Sequence, residues 1–404
     1  MKNQTSMLVD GQSFYASCEK ASHPEYANKP VVVSGDPKLR NGVVLAACPI
    51  AKKSGISTAE PLGEALNKCA DLVVIRPRMQ LYIDVSMQIT RILERYSDAV
   101  EPWSIDEQFC GVTCSNPEET AKEIQKEIYV STGVYTRVGL GQNKMRSKLA
   151  LDLFSKKNKT GIYTLTDERI KSDLWRQPVE GMFGVGSRMR RHLNRLGIYT
   201  IGDLANYPVE RLQKRWGING LILHRTANGL DDSPITASTH EKAQKAIGHG
   251  MTLPKDYSLE EALVVAVELT EEVCRRCRRN GVMGKVLSVG CTGAGFEGGF
   301  SKQITMLQST NVTNTVYGYV KELFKASWGG YPIRQLYIAL GSLVRDDEYQ
   351  LELFGDDREE QRKVERVTDA IKDRFGPASL VRAVSLTSAG QARSRAVRIG
   401  GHYK

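Results

Sequence analysis

The sequence predicts a multidomain α+β protein, and three stretches of pattern carry that expectation. Residues 1–168 mix short apolar strands with helices, residues 170–232 are helical in short glycine-punctuated pieces, and residues 243–346 return to strands and helices. A chain of 404 residues fits roughly two to four domains of ordinary size.

In chain order, Met7, Leu8 and Val9 run into Asp10, which reads as a buried strand ending in a carboxylate. Ser13 to Glu19 opens a helix, Val31 to Val33 is a second strand, Ser34 to Gly42 a turn, and Val43 to Ala47 a third strand. Residues 59–68 and 80–96 have helical spacing. Trp103 to Ile105 leads into Asp106 and Glu107, and Phe109 to Val112 continues, which suits a hairpin with charges at its tip. A helix over 117–129, a strand from Tyr135 to Leu140 and a helix from Lys144 to Phe154 follow. In the later part a strand precedes a helix over 259–279, then come a strand over 285–291, a helix over 312–326 and a strand over 333–342. The polar stretch Asp231 to Gln244 reads as a linker, and the residues after 346 as a charged tail.

Hydrophobic residues make up 41% of the chain, enough to build packed cores and to exclude disorder for its body. No run approaches the ~18 apolar residues of a membrane helix, and Met1 to Ser6 is polar, so a cytoplasmic protein with no membrane partner is expected. The net charge of +10 is compatible with nucleic-acid binding, because neutralised phosphates release counterions. Cys274 and Cys277 form a CxxC, half of a zinc site by spacing. No second pair completes it, and on a helix over 259–279 the two thiols simply share a face.

The chemistry concentrates in the carboxylates. Asp10 ends one strand, while Asp106 and Glu107 stand side by side far along the chain. Adjacent carboxylates repel, so a cation normally offsets them. Magnesium suits this, being a hard ion that takes oxygen ligands and leaves room for substrate phosphates. In isolation an acidic pair also suits a solvated turn. The surrounding Trp103-Ser-Ile-Asp-Glu-Gln-Phe109 instead sets these acids inside an apolar strand pair.

Three motifs in order carry a family resemblance: Leu8-Val-Asp-Gly-Gln-Ser-Phe-Tyr-Ala-Ser-Cys-Glu19, Ser104-Ile-Asp-Glu107, and Gly139-Leu-Gly-Gln-Asn-Lys144 followed by Lys148-Leu-Ala150. Together they resemble the Y-family (translesion) DNA polymerases, most closely the bacterial UmuC-like branch, over nearly the whole chain. The resemblance implies a right-hand fold: palm at 1–13 and 80–168, fingers at 14–79, a helix-hairpin-helix thumb at 169–235, an α+β little finger at 243–346, and a tail at 347–404. It implies two Mg²⁺ ions held by Asp10, Asp106, Glu107 and the carbonyl of Gly11. Tyr15 matches the family's steric gate against ribonucleotides, and Phe14 is core or a stacking surface beside it. Lys52 matches a triphosphate-binding cation, although Pro49 stands where the family has a tyrosine. Lys156 and Lys157 both fit a further triphosphate lysine, because the alignment slips by one residue.

Gly181-Met-Phe-Gly-Val-Gly-Ser-Arg-Met-Arg-Arg191 reads as the DNA-binding hairpin. Gly184 and Gly186 allow a tight turn, and Arg188, Arg190 and Arg191 supply charge for phosphates. Arg275, Arg276, Arg278 and Arg279 cluster at a helix end, where they either complement the helix dipole or track DNA. In the tail, Gln350-Leu-Glu-Leu-Phe354 is similar to peptides that bind the bacterial sliding clamp, with Leu351, Leu353 and Phe354 as apolar anchors. The expected partners are therefore primer-template DNA, deoxynucleoside triphosphates and the clamp; a UmuD-like protein or a recombinase filament is a class the sequence leaves open. Two other readings remain at this stage. A nucleotide cyclase shares the palm, but the hairpin and Tyr15 argue against it. A DNA-binding protein with decayed catalysis is opposed by the intact carboxylates.

Overall fold

A computed structural model describes residues 4–35, 42–239, 244–347 and 358–404. The chain divides into two compact units, one up to residue 240 and one over residues 241–403.

The first unit is built on a five-stranded sheet ordered β5-β6-β1-β7-β8. Its strands are β1 (Thr5–Gly11), β5 (Val100–Pro102), β6 (Glu107–Val112), β7 (Thr136–Gly141) and β8 (Ile162–Leu165). The central strand β1 is nearly all buried, so its apolar run needs no alternation. Antiparallel pairing of β1 with both β6 and β7 sets Asp10 opposite Glu107 and Leu8 opposite Phe109 and Gly139. Residues directly paired across strands share a face, so the register alone brings the two acids together. Between these strands lie α1 (Phe14–Ser22), α2 (Pro49–Lys53), α3 (Leu62–Lys68), α4 (Met79–Leu93) and α5 (Pro117–Thr132). A small sheet β3-β2-β4 is formed by β2 (Val31–Val33), β3 (Ala46–Ala47) and β4 (Val73–Ile75). The strand read at Val43 to Ala47 shrinks to Ala46–Ala47, with Val43 making a lone bridge to Pro61.

Helix α6 (Lys144–Ala150) lies on the face of the sheet that carries Asp10, and glycine is what lets it approach. A Cβ on Gly139 would stand 2.0 Å from the Ser147 carbonyl oxygen and 2.6 Å from the Leu151 nitrogen. Ser6 and Ser147 share a hydrogen bond of 2.9 Å across the same contact. Helix α6 continues into a π turn at Leu151–Ser155.

The remainder of the first unit is helical: a short turn α7 (Asp167–Arg169), a second π turn at Ile170–Leu174, then α8 (Ser187–Asn194), α9 (Ile201–Asn206), α10 (Val209–Trp216) and α11 (Ile218–Ala227). Leu174, Val179, Leu193, Ile201, Leu204 and Leu212 are among its buried core. The stretch read as a linker is docked over Ile235 to Ser238. The Thr236 amide donates to Glu101 (3.1 Å), the Ser238 hydroxyl to Glu94 (2.6 Å), and Ile235 packs on Leu8, Phe109 and Leu151.

The second unit is a four-stranded antiparallel sheet ordered β11-β10-β12-β9. It comprises β9 (Ala246–Tyr257), β10 (Val282–Gly293), β11 (Gly299–Thr310) and β12 (Ile333–Arg345), with α12 (Leu259–Arg279) and α13 (Thr313–Ser327) on one face. Ser258 and Glu261 form a capping box that starts α12 where the sequence predicts it. Strand β11 has no counterpart in the sequence reading, because an edge strand that faces solvent lacks a clear apolar alternation.

The larger departure is the tail. Residues 358–403 belong to the second unit: α14 (Arg358–Phe375), a short helix α15 (Ala392–Ala396), and a hairpin of β13 (Arg398–Ile399) and β14 (His402–Tyr403). Helix α14 was hidden from pattern reading because its inward residues are charged. Arg362 and Lys372 are buried while Val364 and Val367 are exposed. No described helix is long and apolar enough to cross a membrane.

The Gly139 contact is testable. Gly139→Ala should destabilise the first unit by about 1–3 kcal/mol, the usual penalty for overpacking, as read by urea or thermal unfolding. Gly63→Ala, inside α3 with nothing within 4 Å, should be neutral or slightly stabilising in the same assay.

Candidate active site

The site is organised by the pairing of β1 with β6. Asp10 is 7% exposed and faces Glu107 by register. The turn from Trp103 to Asp106 is held by Ser104, whose hydroxyl donates to Asp106 (2.6 Å) and accepts from the Glu107 amide (3.0 Å). The Gly11 amide donates to the Asp106 carbonyl at 2.9 Å. A Cβ at Gly11 would meet the Phe14 ring at 2.7 Å, so this position needs glycine for its contact with the aromatic beneath it. Ser13 then turns the chain with φ 50° and ψ 46°, a left-handed conformation uncommon for a residue with a side chain.

Two lysines answer the two acids. Lys148 reaches Glu107 at 2.6 Å and Asp152 at 3.1 Å. Lys156 lies 3.0 Å from Asp10, 3.7 Å from Glu107 and 3.0 Å from Asp152. Lys157 is exposed, and among the described residues its tie is through the backbone, to the Phe154 carbonyl. Of the two lysines the sequence left open, Lys156 is thus the one at the carboxylates. Lys148 and Asp152 were missed as site residues. Their signal was the spacing Lys148-x₃-Asp152, which sets opposite charges together on one helical face.

Burial pushes the Asp10 carboxyl up from 3.8 to about 7. The Lys156 ammonium pulls it down, and Glu107 and Asp106 push it up again. Burial opposes the charge on Lys156, but Asp10 and Asp152 outweigh it and hold the ammonium above its ordinary range. A buried carboxylate that favours its proton, beside a second carboxylate and a lysine lodged between them, is a site in want of positive charge. Hard oxygen donors from Asp10, Asp106, Glu107 and the Gly11 carbonyl fit a divalent cation. Among the described residues no three metal-ligating side chains are already gathered on one point; Asp106 is turned onto Ser104.

The aromatics sit beside the acids. Phe14 is buried. Tyr15 is half-buried and stacks on Tyr82, with ring centroids 4.5 Å apart and planes at 18°. Tyr82 is fixed in turn by its hydroxyl bond to Glu19 (2.7 Å), which also holds Arg78 (2.6 Å). Burial and then the Asp106 charge raise the Tyr15 phenol. Lys52 donates to the Ser13 hydroxyl at 3.0 Å. Pro49 has a local reason: it is the first residue of α2, after the capping Cys48, where a missing N–H costs nothing.

In the helical part, Gly184 has φ +90° and Gly186 caps α8. Arg188, Arg190 and Arg191 are exposed, with Arg190 3.3 Å from Glu180. The cluster on α12 corrects the expectation. Arg278 is spent on Glu365 (2.8 Å), Asp369 (2.7 Å) and the Asn311 carbonyl, and Arg275 pairs with Asp373. Arg276 pairs with Glu272; Arg276 and Arg279 are the two exposed to solvent. The reason is α14, whose acids recur every four residues (Glu365, Asp369, Asp373) and so form one stripe. Cys274 and Cys277 are both buried free thiols, raised by burial, which agrees with core packing. Gln350, Leu351, Leu353 and Phe354 lie outside the described residues.

The Asp10 shift fixes a pH dependence in protein free of divalent cations. The folded carboxyl holds its proton up to about pH 7 and the unfolded one to 3.8. Its contribution to stability is therefore full below about pH 4 and lost as pH rises through about 7. Asp10→Asn should melt higher than the parent at pH 8 in chelator, with the gain shrinking toward pH 4. Thermal unfolding across a pH series checks this.

Comparison with known proteins agrees with the geometry. Residues 9–152 match the impB/mucB/samB family, residues 244–353 the C-terminal domain of that family, and residues 182–231 the thumb domain of DNA polymerase iota. The chain is 55% identical to "DNA polymerase IV 2" of Bacillus subtilis over 100% of both chains. It is 47% identical to the protein of that name in Halalkalibacterium halodurans, over 98% of both. It is also 38% identical to the "Putative UV-damage repair protein UvrX" of Bacillus subtilis, over 98% of this chain and 97% of the other. A solved Y-family DNA polymerase chimera of Dbh and Dpo4 superimposes with a TM-score of 0.72 at 23% identity, covering 84% of this chain and 99% of the other. The chain belongs to the Y-family of translesion DNA polymerases, in the impB/mucB/samB (UmuC-like) branch, and is a DNA-directed DNA polymerase.

Proposed function

We propose that this polymerase copies damaged templates with low fidelity and without proofreading, using two Mg²⁺ ions held by Asp10, Asp106, Glu107 and the Gly11 carbonyl. The observation that carries the reading is the face-to-face pair Asp10 and Glu107, offset among the described residues by Lys148 and Lys156. When bound, two such ions would activate the primer 3′-hydroxyl and stabilise the departing pyrophosphate. The protein's own groups do the rest. Lys52 and Lys156 steady the triphosphate as fixed cations. Lys148 keeps Glu107 oriented. Tyr15, braced on Tyr82, packs under the sugar and excludes a 2′-hydroxyl.

The domain map follows the same reading. The five-stranded sheet is the palm (1–13 and 80–168), and residues 14–79 are the fingers. Residues 169–235 are the thumb, whose Gly184–Gly186 turn and Arg188, Arg190 and Arg191 grip the DNA backbone. The sheet of the second unit is the little finger, 243–346, with Arg276 and Arg279 available to phosphate. Gln350 to Phe354 docks to the sliding clamp. The cellular role is damage tolerance in an SOS-type response in the cytoplasm.

Primer extension on a primed template with Mg²⁺ tests the reading. Asp106→Ala should lower kcat by at least about 10²–10³-fold, the scale of removing one electrostatic element from a reacting centre. Full activity in that variant would sink the carboxylate assignment. Tyr15→Ala should raise the incorporation of ribonucleotides relative to deoxynucleotides by about 10–200-fold, the range over which steric fit alone discriminates. An unchanged ratio would return Tyr15 to the core.

A further inference from the structure

Helix α6 meets the carboxylates at Lys148, and the next basic residue that does so is Lys156, eight positions on. That spacing does not suit an α-helix. At 3.6 residues per turn, or about 100° per residue, seven positions return to within about 20° of the starting direction and eight overshoot by about 80°. An uninterrupted helix from Lys148 would present Ser155 to Asp10 and turn Lys156 aside.

The chain avoids this with the π turn Leu151–Ser155, in which the Lys156 amide bonds the Leu151 carbonyl five residues back at 3.1 Å. One extra residue enters the turn, and the phase advances by one position. Ser155 is what fills the widened turn. It is fully buried, and its hydroxyl lies within hydrogen-bonding distance of the Val138 carbonyl (2.7 Å) and the Ala150 carbonyl (3.1 Å). One contact ties the turn to the central sheet and the other spans the turn itself. On the far side, the Phe154 ring stacks on Tyr163 with centroids 4.4 Å apart.

The geometry points to Ser155 as a positioning residue: its hydroxyl holds the π turn open, and the open turn delivers Lys156 rather than Ser155 to the carboxylates and the incoming triphosphate. The role of Lys156 rests on the polymerase reading above; the phase shift does not.

The full-length chain with Ser155→Cys, which keeps the size but weakens the donor, should raise the KM for deoxynucleotide by about 3–10-fold, the scale of one net hydrogen bond. It should leave primer-template affinity unchanged and lower the melting temperature by only about 2–4 °C, the cost of one buried hydrogen bond, and Lys156→Ala should move the same constant in the same direction. Deleting Ser155 lets the helix close as an ordinary α turn with Lys156 seven positions after Lys148. That deletion should bring the KM back to within about 2-fold of the parent, whereas a merely structural serine would make the deletion the worst variant. Hydrogen exchange of the peptide spanning 150–157 needs no catalysis and should be faster in Ser155→Cys than in the parent. A parental KM and parental exchange in Ser155→Cys would overturn the proposal, as would a folded deletion variant that behaves like Lys156→Ala. A parent protein that extends no primer would instead overturn the polymerase reading, and the exchange result would still decide the turn.

Discussion

Two carboxylates fixed opposite one another on neighbouring strands repel, and the structure around them is arranged to contain that repulsion. Asp10 and Glu107 cannot drift apart, because the β1–β6 ladder sets their separation. The compensating charge must therefore come to them. It arrives on α6 and its π turn, which press against the sheet only because Gly139 offers no side chain. Glycine in the strand, serine in the turn and lysine over the acids are consequences of one electrostatic demand. Lys148 is buried between Glu107 and Asp152, whereas Lys156 is the more exposed of the two cations.

Much of this was legible in the sequence, and what was missed has a common cause. Strand β1 is an apolar run closed by an acid, and helix α12 begins with a Ser-x-x-Glu box, so both were readable from local rules. That Asp10, Gly11, Asp106 and Glu107 come together was readable from motifs, and the β1–β6 pairing brings them side by side. Lys148 and Asp152 were overlooked because their roles depend on a neighbour across the sheet. Strand β11 lies at an edge, where alternation fades. Helix α14 inverts the usual rule: it turns Arg362, Glu365, Asp369 and Lys372 inward and Val364 and Val367 outward. A search for apolar periodicity passes over such a helix, while a search for complementary charge between Arg275, Arg278 and an acidic stripe would have found it.

The same helix separates two meanings of a basic cluster. Arg275 and Arg278 sit at the C-terminal end of α12, where the helix dipole favours cations. Four close arginines suggest a polyanion partner. Here three of them pair with carboxylates of their own chain, Arg275 and Arg278 with α14 and Arg276 with Glu272, and the positive charge available outward falls accordingly. Net charge read from a sequence counts residues and not their commitments.

Synthesis order gives α14 a further consequence. The sheet of the second unit is complete once β12 has been made, at Arg345. The remaining residues follow over several seconds, at about 5–20 residues per second for a bacterial ribosome. Through that interval the strands β9 to β12 and both covering helices are already synthesised, while Arg275 and Arg278 lack the acids of α14. Until α14 is made, a nascent chain thus carries Arg275 and Arg278 without the three α14 carboxylates that neutralise them, and docking of α14 is the step that supplies that charge.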